Sequence, residues 1–171
     1  MNKVRTAERF ATDWIEKINR QHWSEAYLDT LAPAERSRQP KGDGRKNLES
    51  SKVLRIDEKR FWAGKKQRAD IIQRVQNSFQ PGTPTFMLSR VQVMPLVRES
   101  EGRITAFFDV SLRYPDENTG KPQYVVQGQL IVTTQEPDTA STLSSWRVEA
   151  IDIESGRTPP EEMARPPMPR Q

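Results

Sequence analysis

The sequence predicts an α+β domain in which amino-terminal helices pack on a four-stranded antiparallel sheet. Three observations carry that prediction. Residues 103–114 and 124–132 alternate apolar and polar positions with period two, as half-buried strands do. Residues 7–18 and 71–79 place apolar side chains at i, i+3 and i+4, the stripe of a helix lying on a core. The connections between the carboxy-terminal runs are short, which favours antiparallel neighbours over parallel crossovers.

Thr6 is the expected N-cap of the first helix, whose apolar face is Ala7, Phe10, Ala11, Trp14, Ile15 and Ile18. The pattern breaks at Gln21-His22-Trp23, and Ser24 is placed to cap a second helix carrying Ala26, Tyr27 and Leu31. Pro33 suits the first turn of a third helix ending near Arg38, because that turn has no use for the missing N–H. Glycine, proline and charge dominate residues 39–51, which read as an exposed, mobile loop. Val53, Leu54 and Ile56 suit a brief strand, so the four long strands leave room for a fifth or sixth. Phe61 and Trp62 then precede a clearer helix over residues 67–79, with Ile71, Ile72, Val75 and Phe79 on one side. Pro81-Gly82 stops it.

The first long strand spans residues 86–98, with Val91, Val93 and Val97 sharing a face. Pro95 offers no ladder donor, which places this strand at an edge or gives it a bulge. After the turn Glu99-Ser100-Glu101-Gly102, the second strand sets Ile104, Ala106, Phe108, Val110, Leu112 and Tyr114 against Thr105, Phe107, Asp109, Ser111 and Arg113. Residues 115–122 are polar and rich in breakers, a long hairpin loop. The third strand divides Tyr124, Val126, Leu130 and Val132 from Val125, Gln127, Gln129 and Ile131, and residues 146–153 form the last. Simple alternation puts Ile151 and Ile153 on the outer face with Phe107, Val125 and Ile131. The expected organisation is a tail at 1–5, one domain at 6–155 and a proline-rich tail at 156–171.

Charged residues make up 29% and hydrophobic ones 34%, so much of the 171-residue chain must be surface. No apolar run reaches the roughly 18 residues of a membrane span, and the amino terminus lacks a signal-peptide core. The chain is therefore expected to be soluble as it stands, either cytoplasmic or an extracytoplasmic domain trimmed of its anchor. The absence of cysteine excludes disulfides, thiolate metal sites and a cysteine nucleophile. The net charge of +4 is uneven: residues 1–82 hold 18 Lys and Arg against 11 Asp and Glu, and residues 83–171 hold 9 against 12.

Helices, a further helix, then a four-stranded antiparallel sheet closing on Trp146-Arg147-Val148-Glu149-Ala150-Ile151: this order resembles the nuclear transport factor 2-like superfamily. The segment Gln21-His22-Trp23-Ser24-Glu25-Ala26-Tyr27, with Leu31 and Pro33, is similar to the helix-turn-helix that opens that fold. The resemblance covers residues 6–155 and implies a cone, with a curved sheet around the first helix and a pocket at the open end. A cystatin-like or other α+β sheet with helices on one face is the alternative. The superfamily holds isomerase-like, dehydratase-like and cyclase-like enzymes beside non-catalytic binding and assembly modules, so the fold does not choose a function.

Asp109, between Phe107 and Ser111, is the candidate general base if it stands in an apolar pocket that raises its pKa; on a solvated face it is only a surface carboxylate. His22 is the sole histidine, so no His-His metal pair forms, and its turn position suits a surface or capping role. No Gly-x-Ser-x-Gly or Gly-x-Gly-x-x-Gly occurs, and neither a metal nor a cofactor is expected. Trp14, Tyr27, Trp62 and Asp109 are the candidate ligand-binding residues, with core packing the alternative for Trp14 and for Trp146. Lys59, Arg60, Lys65 and Lys66 are the candidate anion-binding set, but Asp57 and Glu58 interrupt the basic stretch, which favours a solvated face over nucleic acid. The leading expectation is a non-catalytic domain that binds a small molecule or protein and forms a homodimer through its outer sheet face.

Overall fold

The computed structural model describes residues 2–37, 52–56, 68–80, 86–91, 94–115 and 122–157. Among them lie helices α1 (Lys3–Asn19), α2 (Trp23–Leu28), α3 (Pro33–Arg36) and α4 (Arg68–Ser78). The strands are β1 (Leu54–Ile56), β2 (Met87–Arg90), β3 (Leu96–Ser100), β4 (Arg103–Pro115), β5 (Pro122–Thr134) and β6 (Arg147–Arg157). They form one six-stranded sheet in the order β1-β6-β5-β4-β2, and β3 also pairs with β4. The expected loop at 39–51 and nearly all of the tail at 156–171 lie outside the described residues, as do Trp62, Lys59, Arg60, Lys65 and Lys66.

The first helix begins earlier than expected. Asn2 is its cap, accepting from the Arg5 amide at 2.9 Å, and buried Thr6 sits inside the helix with its hydroxyl donating to the Asn2 carbonyl. Asn is at least as good a cap as Thr, so the helix gains about one turn and residues 3–5 are helical instead of a tail. Its end is closed by Gln21 N–H to Ile18 and His22 N–H to Lys17, with Gln21 in the left-handed region at φ 58°. That geometry starts α2 at Trp23, with His22 in place of Ser24 at the cap position.

The expected first strand is two. β2 pairs with Val110–Arg113 and β3 with Arg103–Phe107, so they follow one another along the edge of β4 that β5 leaves free. Pro95 lies in the gap between them, as a residue without a ladder donor should. The sheet is also not wholly antiparallel. β1 runs parallel to β6, a direction that no tight hairpin constrains because the two strands are far apart in sequence. β6 continues to Arg157, two residues past the expected domain end, because its pairing with β5 extends to Val125.

Register decides which residues are inside. The β5–β6 ladder shifts between Ile131 and Val132, where Val132 faces Val148 but Ile131 faces Ala150. Glu149 is the extra residue, and one extra residue reverses the alternation of everything beyond it. Ile151 therefore stands opposite Leu130, and Ile153 opposite Gly128, on the inner face. The expectation that both isoleucines belong to the outer face is corrected by this bulge.

The apolar stripe of α1, Ile71, Ile72, Val75 and Phe79 of the α4 segment, the even-numbered residues of β4, and Val126, Leu130 and Val132 of β5 share one hydrophobic core cluster. Each large apolar side chain fully withdrawn from water there is worth about 1.5–3 kcal/mol. Two indole N–H groups are satisfied inside it: Trp14 Nε1 donates to the Ala26 carbonyl at 3.0 Å and Trp146 Nε1 to the Ala140 carbonyl at 2.8 Å. Polar contacts also stitch the helices to the sheet. Asn19 uses its carboxamide as a strand would, donating to the Leu88 carbonyl at 2.9 Å and accepting from the Leu88 amide at 2.7 Å. Arg36 donates to the carbonyls of Leu28, Ser144 and Trp146, tying α2 and α3 to the start of β6.

Candidate functional site

A cleft of about 790 Å³ opens between β1 and α4. Its floor is apolar, from Leu54, Ile56 and Phe79, and its walls are Lys52, Arg55, Gln73, Gln76, Asn77, Gln80 and Asp152. The local sequence explains the composition. Helix α4 turns Ile71, Ile72 and Val75 into the core, and Phe79 just beyond it is buried with them. Gln73, Gln76 and Asn77 stand at i, i+3 and i+4 on one face of α4, and Gln80, two residues past the helix, lines the same cleft. Gln73 Nε2 donates to Asn77 Oδ1 at 3.1 Å, which holds part of that row in place. Arg74 stands to one side, its guanidinium 5.8 Å from the centre of the Tyr114 ring.

Opposite this helix face is the terminal strand of the sheet. The Ile151 amide donates to the Val53 carbonyl at 2.8 Å, and the register pairs Leu54 with Ile151 and Arg55 with Asp152. In a parallel ladder alternate residues turn their backbone groups to the same side. Arg55 thus bonds β6, while the N–H and C=O of Leu54 and Ile56 point away from it. Each carboxamide offers donors and an acceptor without net charge, so the cleft can satisfy a neutral polar ligand or a peptide backbone. Lys52 and Arg55 add positive charge at its rim, Asp152 one negative charge.

Of the sequence-predicted residues, Trp14, Tyr27 and Asp109 are described, and these three do not converge. Trp14 is fully buried with its N–H satisfied, so it packs the core and has no surface to offer a ligand. Tyr27 is half-buried against the same core cluster. Asp109 lies on the outer face of β4, across the sheet from both, half-exposed and 3.4 Å from Gln129 Nε2, which donates to it. It heads a polar row Asp109-Gln129-Asp152-Arg55 running across four strands, and only the last two reach the cleft. His22 is exposed, with Nδ1 3.8 Å from Glu25. Among the described residues no three His, Asp or Glu side chains gather as metal ligands do, and no helix is long and apolar enough to cross a membrane.

Sequence reasoning missed the cleft residues. The signal was present in α4, whose polar half reads as carboxamides at helical spacing, but what faces a helix is not written in its own periodicity. Two perturbed groups lie outside the cleft's walls. Burial pushes the Tyr114 phenol well above its ordinary pKa, while the Ser78 hydroxyl 3.0 Å away and the Arg74 charge act in the opposite direction. Burial also lowers the Arg36 guanidinium, Asp29 raises it and Arg147 lowers it again.

No protein-family model matches this chain, and no curated protein matches its sequence.

Proposed function

We propose that this chain is a non-catalytic binding domain of the nuclear transport factor 2-like kind, working through the cleft between β1 and α4. One observation carries the reading: Gln73, Gln76 and Asn77 on one face of α4, with Gln80 just past its end, look across an apolar floor at the edge of β1, which is unpaired among the described residues. Uncharged groups that both donate and accept recognise polar ligands by shape and hydrogen bonding, the usual composition of a binding site. The order of helices and strands, ending on Trp146 and β6, supports the superfamily reading. The competing reading of a carboxylate enzyme asks Asp109 to work in an apolar pocket, and Asp109 instead sits half-exposed beside Gln129. A screen of small neutral polar fragments, followed through the side-chain NH₂ signals of Gln73, Gln76, Asn77 and Gln80, tests the proposal. Hits that move those signals support it. Hits that move only the Asp109 and Gln129 region would transfer the site to the outer face.

A second reading concerns assembly. Register aligns an apolar row across β3, β4, β5 and β6 on the outer face, of which Leu96 is exposed, Phe107 half-buried, and Ile131 and Ala150 buried. Met87, Val91 and Leu96 are each more than half exposed along its edge. Such a patch supports a homodimer formed sheet to sheet. Sedimentation velocity at micromolar concentration should find a dimer that Phe107→Glu converts to monomer. A monomer in the parent protein overturns this reading and leaves the cleft untouched.

A further inference from the structure

We infer that the cleft takes an extended, acidic peptide segment, which adds as a strand to the free edge of β1 beneath the carboxamide face of α4. This rests on the reading of the cleft as a binding site and specifies its ligand class. The two ends of the sheet are treated differently by the fold. At β2 the outward backbone groups of Leu88 are both taken by the Asn19 carboxamide, so that edge is closed at its centre. At β1 the corresponding groups of Leu54 and Ile56 are taken by no backbone or side-chain partner among the described residues, although Arg55 between them is bonded to β6. An unpaired edge beside a groove is the geometry of strand addition: main-chain hydrogen bonds hold the peptide, and alternate side chains enter the walls.

The walls specify the peptide's chemistry. Gln76 and Asn77 can pair with the peptide's second edge as Asn19 pairs with Leu88, since a carboxamide presents the same donor and acceptor as a peptide unit. Leu54, Ile56 and Phe79 form an apolar floor for a small aliphatic side chain. Neither Lys52 nor Arg55 makes an ion pair within the described residues, and among the described lining residues Asp152 is the single carboxylate, so their sum is net positive. Residues alternating along an added strand would put carboxylates over that rim and an aliphatic group over the floor.

The test uses the full chain labelled with nitrogen-15 and three capped synthetic peptides: Ac-Val-Glu-Val-Glu-Val-NH₂, its Lys-for-Glu counterpart, and the acidic peptide N-methylated at alternate residues. The acidic peptide should shift the Leu54 and Ile56 amides together with the NH₂ signals of Gln76, Asn77 and Gln80, and should slow hydrogen exchange at Leu54 and Ile56. The Lys peptide should bind about 3- to 10-fold more weakly, as expected for two exposed ion pairs. N-methylation in the register facing β1 should abolish binding. Ile56→Pro removes an edge donor that β6 does not use, so it should also abolish binding; where that variant fails to fold, the N-methylated peptide removes the same hydrogen bonds from the other partner. No shift with millimolar acidic peptide overturns the inference, and if neutral fragments still move the cleft signals the binding-site reading survives it. Leu54 and Ile56 signals that move with protein concentration alone also overturn it, because the edge is then occupied by a second copy.

Discussion

Gly128 offers the sharpest test of the sheet geometry. It stands where the β5–β6 ladder shifts register, and its φ lies outside the left-handed region, so conformational freedom is not the reason for glycine. Space is the reason. A Cβ built there would meet the Asp152 carbonyl oxygen at 2.2 Å, and the Asp152 carbon and Ile153 Cα at 3.1 Å. Ordinary C···O contact is about 3.3 Å, so β6 must withdraw by about 1 Å. All three obstacles are backbone, and no side chain can rotate away to relieve them. Overpacking of this kind costs about 1–3 kcal/mol, and a net 0.5–1.5 kcal/mol is added for each ladder bond stretched. Gly128→Ala should therefore destabilise by about 3 kcal/mol, lowering the melting temperature by about 6–12 °C in a chain of this size. Urea unfolding followed by the fluorescence of buried Trp14 and Trp146 reads the loss. Gly102→Ala is the companion variant: nothing lies within 4 Å of its Cβ, but φ is +75°, so strain alone should cost about 1 kcal/mol. A Gly128→Ala loss below about 0.5 kcal/mol would refute the close approach of β6 to β5. Because Asp152 is both the obstacle and a wall of the cleft, the same variant should also shift the Asp152 and Arg55 amides.

Three further outcomes follow from particular contacts. Tyr114 has its pKa raised, so its stabilising contribution is complete below the unfolded value of about 10 and is lost as pH climbs beyond that. Melting curves from pH 8 to 11.5 should show the parent losing stability relative to Tyr114→Phe above about pH 10; parallel curves would contradict a buried neutral phenol. Arg36→Lys cannot reach the three carbonyls that the guanidinium fork spans, so it should cost about 2–3 kcal/mol in urea unfolding, nearly as much as Arg36→Ala. Asp109→Asn keeps an oxygen that can accept from Gln129 on the half-exposed outer face and should change stability by less than about 0.5 kcal/mol.

What could be read from the residue order was whatever repeats over a few positions. The alternation of 103–114 set the inner residues of β4, and all six of its even-numbered side chains are buried. The stripe of Phe10, Trp14 and Ile18 marked the inner face of α1, and Pro95 marked the break in the edge strand. These are local consequences of backbone geometry, fixed wherever the side chain beside each position is known. The start of α1 was misplaced because two residues able to cap, Asn2 and Thr6, stand about one turn apart, and the apolar stripe that follows fits either start; Asn, the better cap, takes the position.

Long-range pairing decided the rest. Only the β5–β6 register makes Glu149 an extra residue and turns Ile151 and Ile153 inward; nothing in the residue type of Glu149 marks it as a bulge. Only the parallel docking of β1 on β6 leaves the Leu54 and Ile56 backbone groups facing outward, and only the packing of α4 beside it turns four carboxamides into a wall. Periodicity says which face of an element seeks the core, because burial is a property of that element. Which neighbour its other face will meet is a property of the folded chain.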